Sequence, residues 1–114
     1  MNVNFDLSAK QRNAKEVMVV VNTAKLDASW SKDSGFYIPA NGGGAEIGGR
    51  RDGFKDFLAT GKTVEPSTVC LDQQGEVSFV DGRHRFSVLR DMGARQVVVA
   101  IHKSQAKKLM KIYG

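Results

Sequence analysis

Glu76-Val77-Ser78-Phe79-Val80-Asp81-Gly82-Arg83-His84-Arg85-Phe86-Ser87-Val88-Leu89-Arg90-Asp91-Met92 is the stretch whose reading decides the fold. Its first five residues suit a short strand and its last seven a helix, with the turn Asp81-Gly82-Arg83-His84-Arg85 between them. Asp81 is a favoured helix N-cap type, and Gly82 permits a sharp turn and the close approach of a ligand. Arg83, His84 and Arg85 then crowd the first helical turn, where the helix dipole is positive. Each misplaced cation there costs roughly 0.3–1 kcal/mol. An anion held by the free N–H groups of that turn offsets this cost, and helix N-termini bind phosphate readily. In the alternative reading Asp81 neutralises the turn and the cations sit in water.

Working outward, Phe86, Val88, Leu89 and Met92 face the core, while Arg83, Ser87, Arg90 and Asp91 share the opposite, polar side. Arg85 falls near the core-facing edge, where a fixed anionic partner is favoured unless its guanidinium curls back to the helix start. Gly93 suits the position that ends the helix. Gln96-Val97-Val98-Val99-Ala100-Ile101 reads as an apolar strand covered on both faces, and the strand–helix–strand order suggests a right-handed crossover. Before the box, Thr68-Val69-Cys70-Leu71, the turn Asp72-Gln73-Gln74-Gly75 and Glu76–Val80 form a hairpin. Val17-Met18-Val19-Val20-Val21 is a second continuous apolar run, expected to be a central strand.

The segment Phe79 to Phe86, followed by Val88-Leu89-Arg90-Asp91-Met92-Gly93-Ala94 and an apolar strand, resembles the phosphate-binding box of the ParB/sulfiredoxin superfamily. The matching box reads Phe-Gly-Gly-Cys-His-Arg in sulfiredoxins and Gly-Glu-Arg-Arg in ParB partition proteins. The likeness runs from Val17 to about Ile101 in element order, and residue by residue over about 77–101. It implies an α+β fold, a small mixed sheet flanked by helices. It also implies binding of a nucleoside triphosphate, ATP or CTP, through Gly82, Arg83, His84 and Arg85. The superfamily includes partition clamps, sulfiredoxins, small-molecule kinases and plasmid or phage proteins with ATPase or nuclease activity, so the resemblance leaves the reaction open. The catalytic sulfiredoxin cysteine falls at Arg83, which argues against sulfinic acid reduction.

With 114 residues the chain is expected to form one domain, residues 17–114, preceded by a polar arm over 1–16. Seventeen Lys+Arg against 12 Asp+Glu give a net charge of +5, which favours anionic partners without choosing between nucleotide and nucleic acid. One cysteine excludes an internal disulfide and fits a reducing cytoplasm. The first residues lack the basic and apolar regions of a signal peptide, and no apolar run approaches the roughly 20 residues needed to cross a bilayer.

Asn41-Gly42-Gly43-Gly44-Ala45-Glu46-Ile47-Gly48-Gly49 reads either as a flexible surface loop or as a lid that contacts phosphate, since Arg50 and Arg51 follow at once. It is not a Rossmann fingerprint, and Gly61-Lys62-Thr63 is not a Walker A loop, whose first glycine would stand at Asp56. Phe54, Phe57 and Leu58 predict an amphipathic helix over 50–59. Leu26, Trp30 and Phe36-Tyr37-Ile38-Pro39 suggest an irregular connection with one short edge strand; Trp30 and Tyr37 read as core or rim, or as a stack for a base. Cys70 reads as a buried, inert thiol and His102 as a rim residue. Two histidines far apart and one cysteine exclude a zinc site.

Four sets of candidates result. His84 and Asp81 are the catalytic candidates, His84 being the obvious proton-transfer group near neutral pH. Gly82, Arg83, His84, Arg85, Arg50 and Arg51 are candidates for holding ATP or CTP, with Mg2+ accompanying the triphosphate. Lys103, Lys107 and Lys111 form an i, i+4, i+8 row that reads as a solvated face or as a contact for DNA phosphates. The alternative to an NTPase or nuclease is a non-catalytic nucleotide- or DNA-binding module of plasmid or phage type, acting as a homo-oligomer or with a protein partner.

Overall fold

The structure, a computed structural model, describes residues 3–8 and 15–114. Strand β1 (Glu16–Asn22) leads directly into helix α1 (Thr23–Trp30). Asn22 makes that junction, because its side-chain oxygen accepts the Lys25 N–H at 2.9 Å and satisfies one of the helix's orphan donors. Helix α1 occupies part of the chain expected to be an irregular connection. Its signals were the Asn22 cap and the i, i+4 pair Leu26 and Trp30, both buried. Helix α2 (Arg50–Ala59) follows the glycine loop, as the spacing of Phe54 and Leu58 predicts. No strand forms around Tyr37.

The hairpin of β2 (Ser67–Leu71) and β3 (Val77–Asp81) closes through Asp72, whose carboxylate accepts the N–H groups of Gln74 at 2.8 Å and Glu76 at 2.9 Å. Helix α3 (Arg83–Asp91), strand β4 (Gln96–His102), a 3-10 turn (Lys103–Gln105) and helix α4 (Ala106–Tyr113) complete the chain. The four strands form a mixed sheet in the order β1-β4-β2-β3, with β2 and β4 parallel and the other pairs antiparallel. Two expectations are corrected by this order. Strand β1 is an edge strand rather than a central one, and alternation leaves Val20 52% exposed. Strands β3 and β4 are separated by β2 and run in opposite directions, so they do not form a parallel crossover.

One face of the sheet presents Val19, Val21, Val69, Leu71, Val77, Val97, Val99 and Ile101 to a core completed by Leu26, Trp30, Phe86, Val88, Leu89, Leu109 and Tyr113 from the helices. Trp30 is the hub of this core. It is fully buried and meets Tyr37, Phe79 and Phe86 edge-on at 4.8, 4.7 and 5.6 Å between centroids, so it has no face left for a base. Met92, expected in the core, is exposed. On the other face of the sheet Val80 is 61% exposed.

Part of the N-terminal arm docks on this body. Phe5 forms a parallel bridge with Val64, flanked by hydrogen bonds from Val64 N–H to Asn4 O and from Asp6 N–H to Val64 O, both 2.8 Å. The rest of the polar arm expected over 1–16 lies mostly outside the described residues, and Glu16 itself belongs to β1. No helix among the described residues is long and apolar enough to cross a membrane.

Candidate site at the start of helix α3

Chain direction reverses at Gly82, which lies between the end of β3 and the start of α3 with φ +83°. A side chain is excluded there twice over, by that backbone conformation and by space. A Cβ would stand 2.5 Å from Ser67 Oγ and 2.6 Å from Arg85 Nη2. Ser67, buried at the start of β2, donates its hydroxyl to Gly82 O at 2.8 Å and so fixes the height of the turn. Gly82, not Asp81, occupies the N-cap position, and no side chain caps the first turn of α3. Asp81 closes β3 and faces Arg85, its Oδ2 lying 3.5 Å from Arg85 Nη2. Arg85 also donates to Glu65 O at 3.2 Å and Pro66 O at 3.4 Å, which supplies the partners that its position requires.

Helix α2 begins at the same place. Its N-cap is Gly49, again at φ +83° and again without a side-chain cap. Arg50 and Phe54 from α2, with Val80, Asp81, Gly82, Arg83, His84 and Arg85, line one cavity of about 290 Å3. The N-terminus of α3 therefore opens onto a single pocket that Arg50 and Phe54 of α2 close from the other side, and three arginines edge it. Its donors are hard and cationic, which suits a phosphate chemically; its volume lies at the small end for small-molecule sites.

The remaining candidates have partners within the protein. His84 is buried, and its Nε2 accepts the backbone N–H of Ile47 at 2.9 Å, which leaves the proton of the neutral ring on Nδ1. Burial, followed by the charges of Arg83 and Arg50, pushes its pKa below the usual value and keeps the ring neutral. Arg83 donates to Ala45 O at 3.1 Å and lies 5.6 Å above the Phe36 ring; its Nε is buried without a hydrogen-bond partner among the described residues. Arg51 is only 5% exposed. It donates to Ser87 Oγ at 2.7 Å and Asp91 Oδ2 at 2.8 Å, so it braces α2 against α3 instead of facing the pocket. Ser87, placed on the polar side by helical spacing, is fully buried and passes the bracing on to His84 O at 2.8 Å.

Arg90 and Asp91 fasten the segment before the glycine loop. Arg90 donates to Asp27 Oδ1, Ile38 O and Pro39 O, and its guanidinium lies over the rings of Trp30 and Tyr37. Asp91 accepts from Arg51, Arg90 and the Asn41 N–H. Its burial alone would raise the carboxyl pKa, but the hydrogen bonds from Arg90 and Asn41 outweigh it and hold the pKa below the usual range.

Sequence reasoning missed Ser67, Glu46 and the Ile47 N–H; a lone carboxylate inside a glycine loop that two arginines follow was the available sign. Lys103 lies on the 3-10 turn and Lys107 and Lys111 on α4; all three are exposed, outside the pocket. Cys70 is half-buried, and burial raises its thiol pKa. Among the described residues no cluster of three His, Cys, Asp or Glu could hold a metal ion.

No family model matches the sequence, and no curated protein matches it. The fold is similar to a crystal structure of Oncogenic Suppression Activity Protein, a plasmid fertility inhibition factor, solved as a gold(I) cyanide derivative. The TM-score is 0.71 at 15% identity, over 96% of this chain and 62% of that one. The chain thus spans less than two thirds of that protein's length, and the likeness is one of fold.

Proposed function

We propose that this chain is a ParB/sulfiredoxin-type domain that binds the phosphates of ATP or CTP, with Mg2+, at the Asp81–Arg85 turn. One observation carries the reading: the uncapped N-terminus of α3, entered through Gly82 at φ +83°, opens onto a pocket with Arg50, Arg83 and Arg85 at its edge. Cations at the positive end of a dipole oppose one another until an anion lies between them. Asp81 is the carboxylate at hand for a magnesium ion, which needs few protein ligands beside a triphosphate. Proton transfer at His84 Nε2 would require Ile47 to let go. Hydrolysis of the nucleotide or of a phosphodiester would rest mainly on positioning and charge.

The fold it shares with a plasmid fertility inhibition factor is consistent with a protein of plasmid type. The second reading, a module that contacts DNA, draws on the exposed Lys103, Lys107 and Lys111. Calorimetric melting tests the first. ATP or CTP with Mg2+ at about 100 times its dissociation constant should stabilise the wild type by about 2.7 kcal/mol. Arg85→Ala should abolish that gain. No shift in the wild type, or an equal shift in both proteins, defeats the proposal.

A further inference from the structure

Two side chains of the phosphate box hold the glycine loop. Arg83 donates to Ala45 O and His84 accepts from Ile47 N–H, at 3.1 and 2.9 Å. Between those two anchors sits Glu46. Its Oε1 accepts the Gly43 N–H at 2.8 Å and lies 4.0 Å from Arg51 Nε, and its charge also acts on His84. Glu46 thus ties the loop to itself and to α2 while Arg83 and His84 hold it from α3.

We propose that residues 42–48 form an autoinhibitory strap, held by Arg83 and His84 and stiffened from within by Glu46, which an incoming phosphate must displace to free those two side chains. This rests on the phosphate-site reading above and adds its regulation. The ends of the strap are fixed. Asp91 holds Asn41 by its N–H at 2.9 Å, and α2 begins at Arg50. Between them the chain contributes little to the core: Ala45 is partly buried, Ile47 is exposed, and Gly42, Gly43 and Gly44 all have positive φ. A segment with so few apolar anchors opens locally at low cost. The pocket's small volume has the same consequence, since a triphosphate with its ribose and base needs more room than about 290 Å3. Release would free Arg83 and His84 together, so binding and opening become one event.

The experiment is titration calorimetry of full-length wild type and Glu46→Ala with Mg-ATP, paired with amide exchange of the wild type. The variant should bind about tenfold more tightly, the scale expected when one hydrogen bond to a charged group no longer holds the strap closed. Saturation with Mg-ATP should speed exchange of the Ile47 amide. Binding by the variant alone also supports the strap, as the extreme case of competition. Equal or weaker binding by the variant, or an Ile47 amide that is unchanged or better protected in the complex, overturns the strap and leaves the phosphate site standing. Binding by neither protein overturns both.

Discussion

Arg51 Nη2 lies 2.8 Å from Asp91 Oδ2, forty positions away in sequence, with Asp91 also held by Arg90 Nε at 3.0 Å. The carboxylate between two guanidiniums ties α2, α3 and the start of the glycine loop into one unit. The arrangement is enclosed, with the Arg51 and Asp91 side chains 6% and 12% exposed. Screening by water is therefore weak and the loss of a partner is felt strongly.

Asp91→Ala leaves both guanidiniums and the Asn41 N–H without their shared acceptor. It should cost about 3–5 kcal/mol in urea denaturation. Arg51→Ala should cost less, because Arg90 still neutralises Asp91 and the Asn41 N–H still donates to it. Equal losses would mean that Asp91 matters only through Arg51.

The same carboxylate sets an acid limit. Because its folded pKa is depressed, its contribution is complete above the unfolded value of about 3.9 and is lost as pH falls through the folded one. His84 acts in the same sense at higher pH. Its folded pKa lies below about 6.5, so the unfolded chain takes up the proton first and stability declines as pH drops from there. Urea midpoints against pH should show two declining segments, the upper one missing in His84→Asn and the lower one reduced in Asp91→Asn.

At Gly82 backbone strain and collision act together, whereas Gly93, also at positive φ, has open space around its would-be Cβ. Gly93→Ala should cost roughly 1–2 kcal/mol from the left-handed conformation alone. Gly82→Ala should cost more than that, because Ser67 Oγ or Arg85 must also shift. Matching losses in chemical denaturation would show that the space between Ser67 and Arg85 is freely available.

If Lys107 and Lys111 each meet a DNA phosphate, replacing either with Ala should flatten the slope of log affinity against log salt by about 0.9. Filter binding across a salt series checks this. An unchanged slope removes α4 from the interface.

The hairpin, helix α3 and the Gly82 turn were legible in the sequence because each rests on local chemistry. Asp72 folds its own turn, Gly82 is demanded by its own φ, and Phe86, Val88 and Leu89 mark one helical face. The identity of the pocket's rim followed from the same stretch, since Arg83, His84 and Arg85 are adjacent in sequence. Helical spacing assigned Ser87, Arg90 and Asp91 to a polar side, and polar they are, yet Ser87 is buried and Arg90 and Asp91 are largely enclosed. Periodicity reports which side chains share a face and says nothing about what covers it. Only the tertiary structure supplied that cover, Arg51 from α2 and the backbone of 38–41. Likewise Val17–Val21 and Val97–Ile101 are nearly the same run of residues, one at the edge of the sheet and one at its centre. An apolar β-branched run determines that a strand forms; which neighbours pair with it is decided by long-range packing, because the backbone donors and acceptors of every strand are alike.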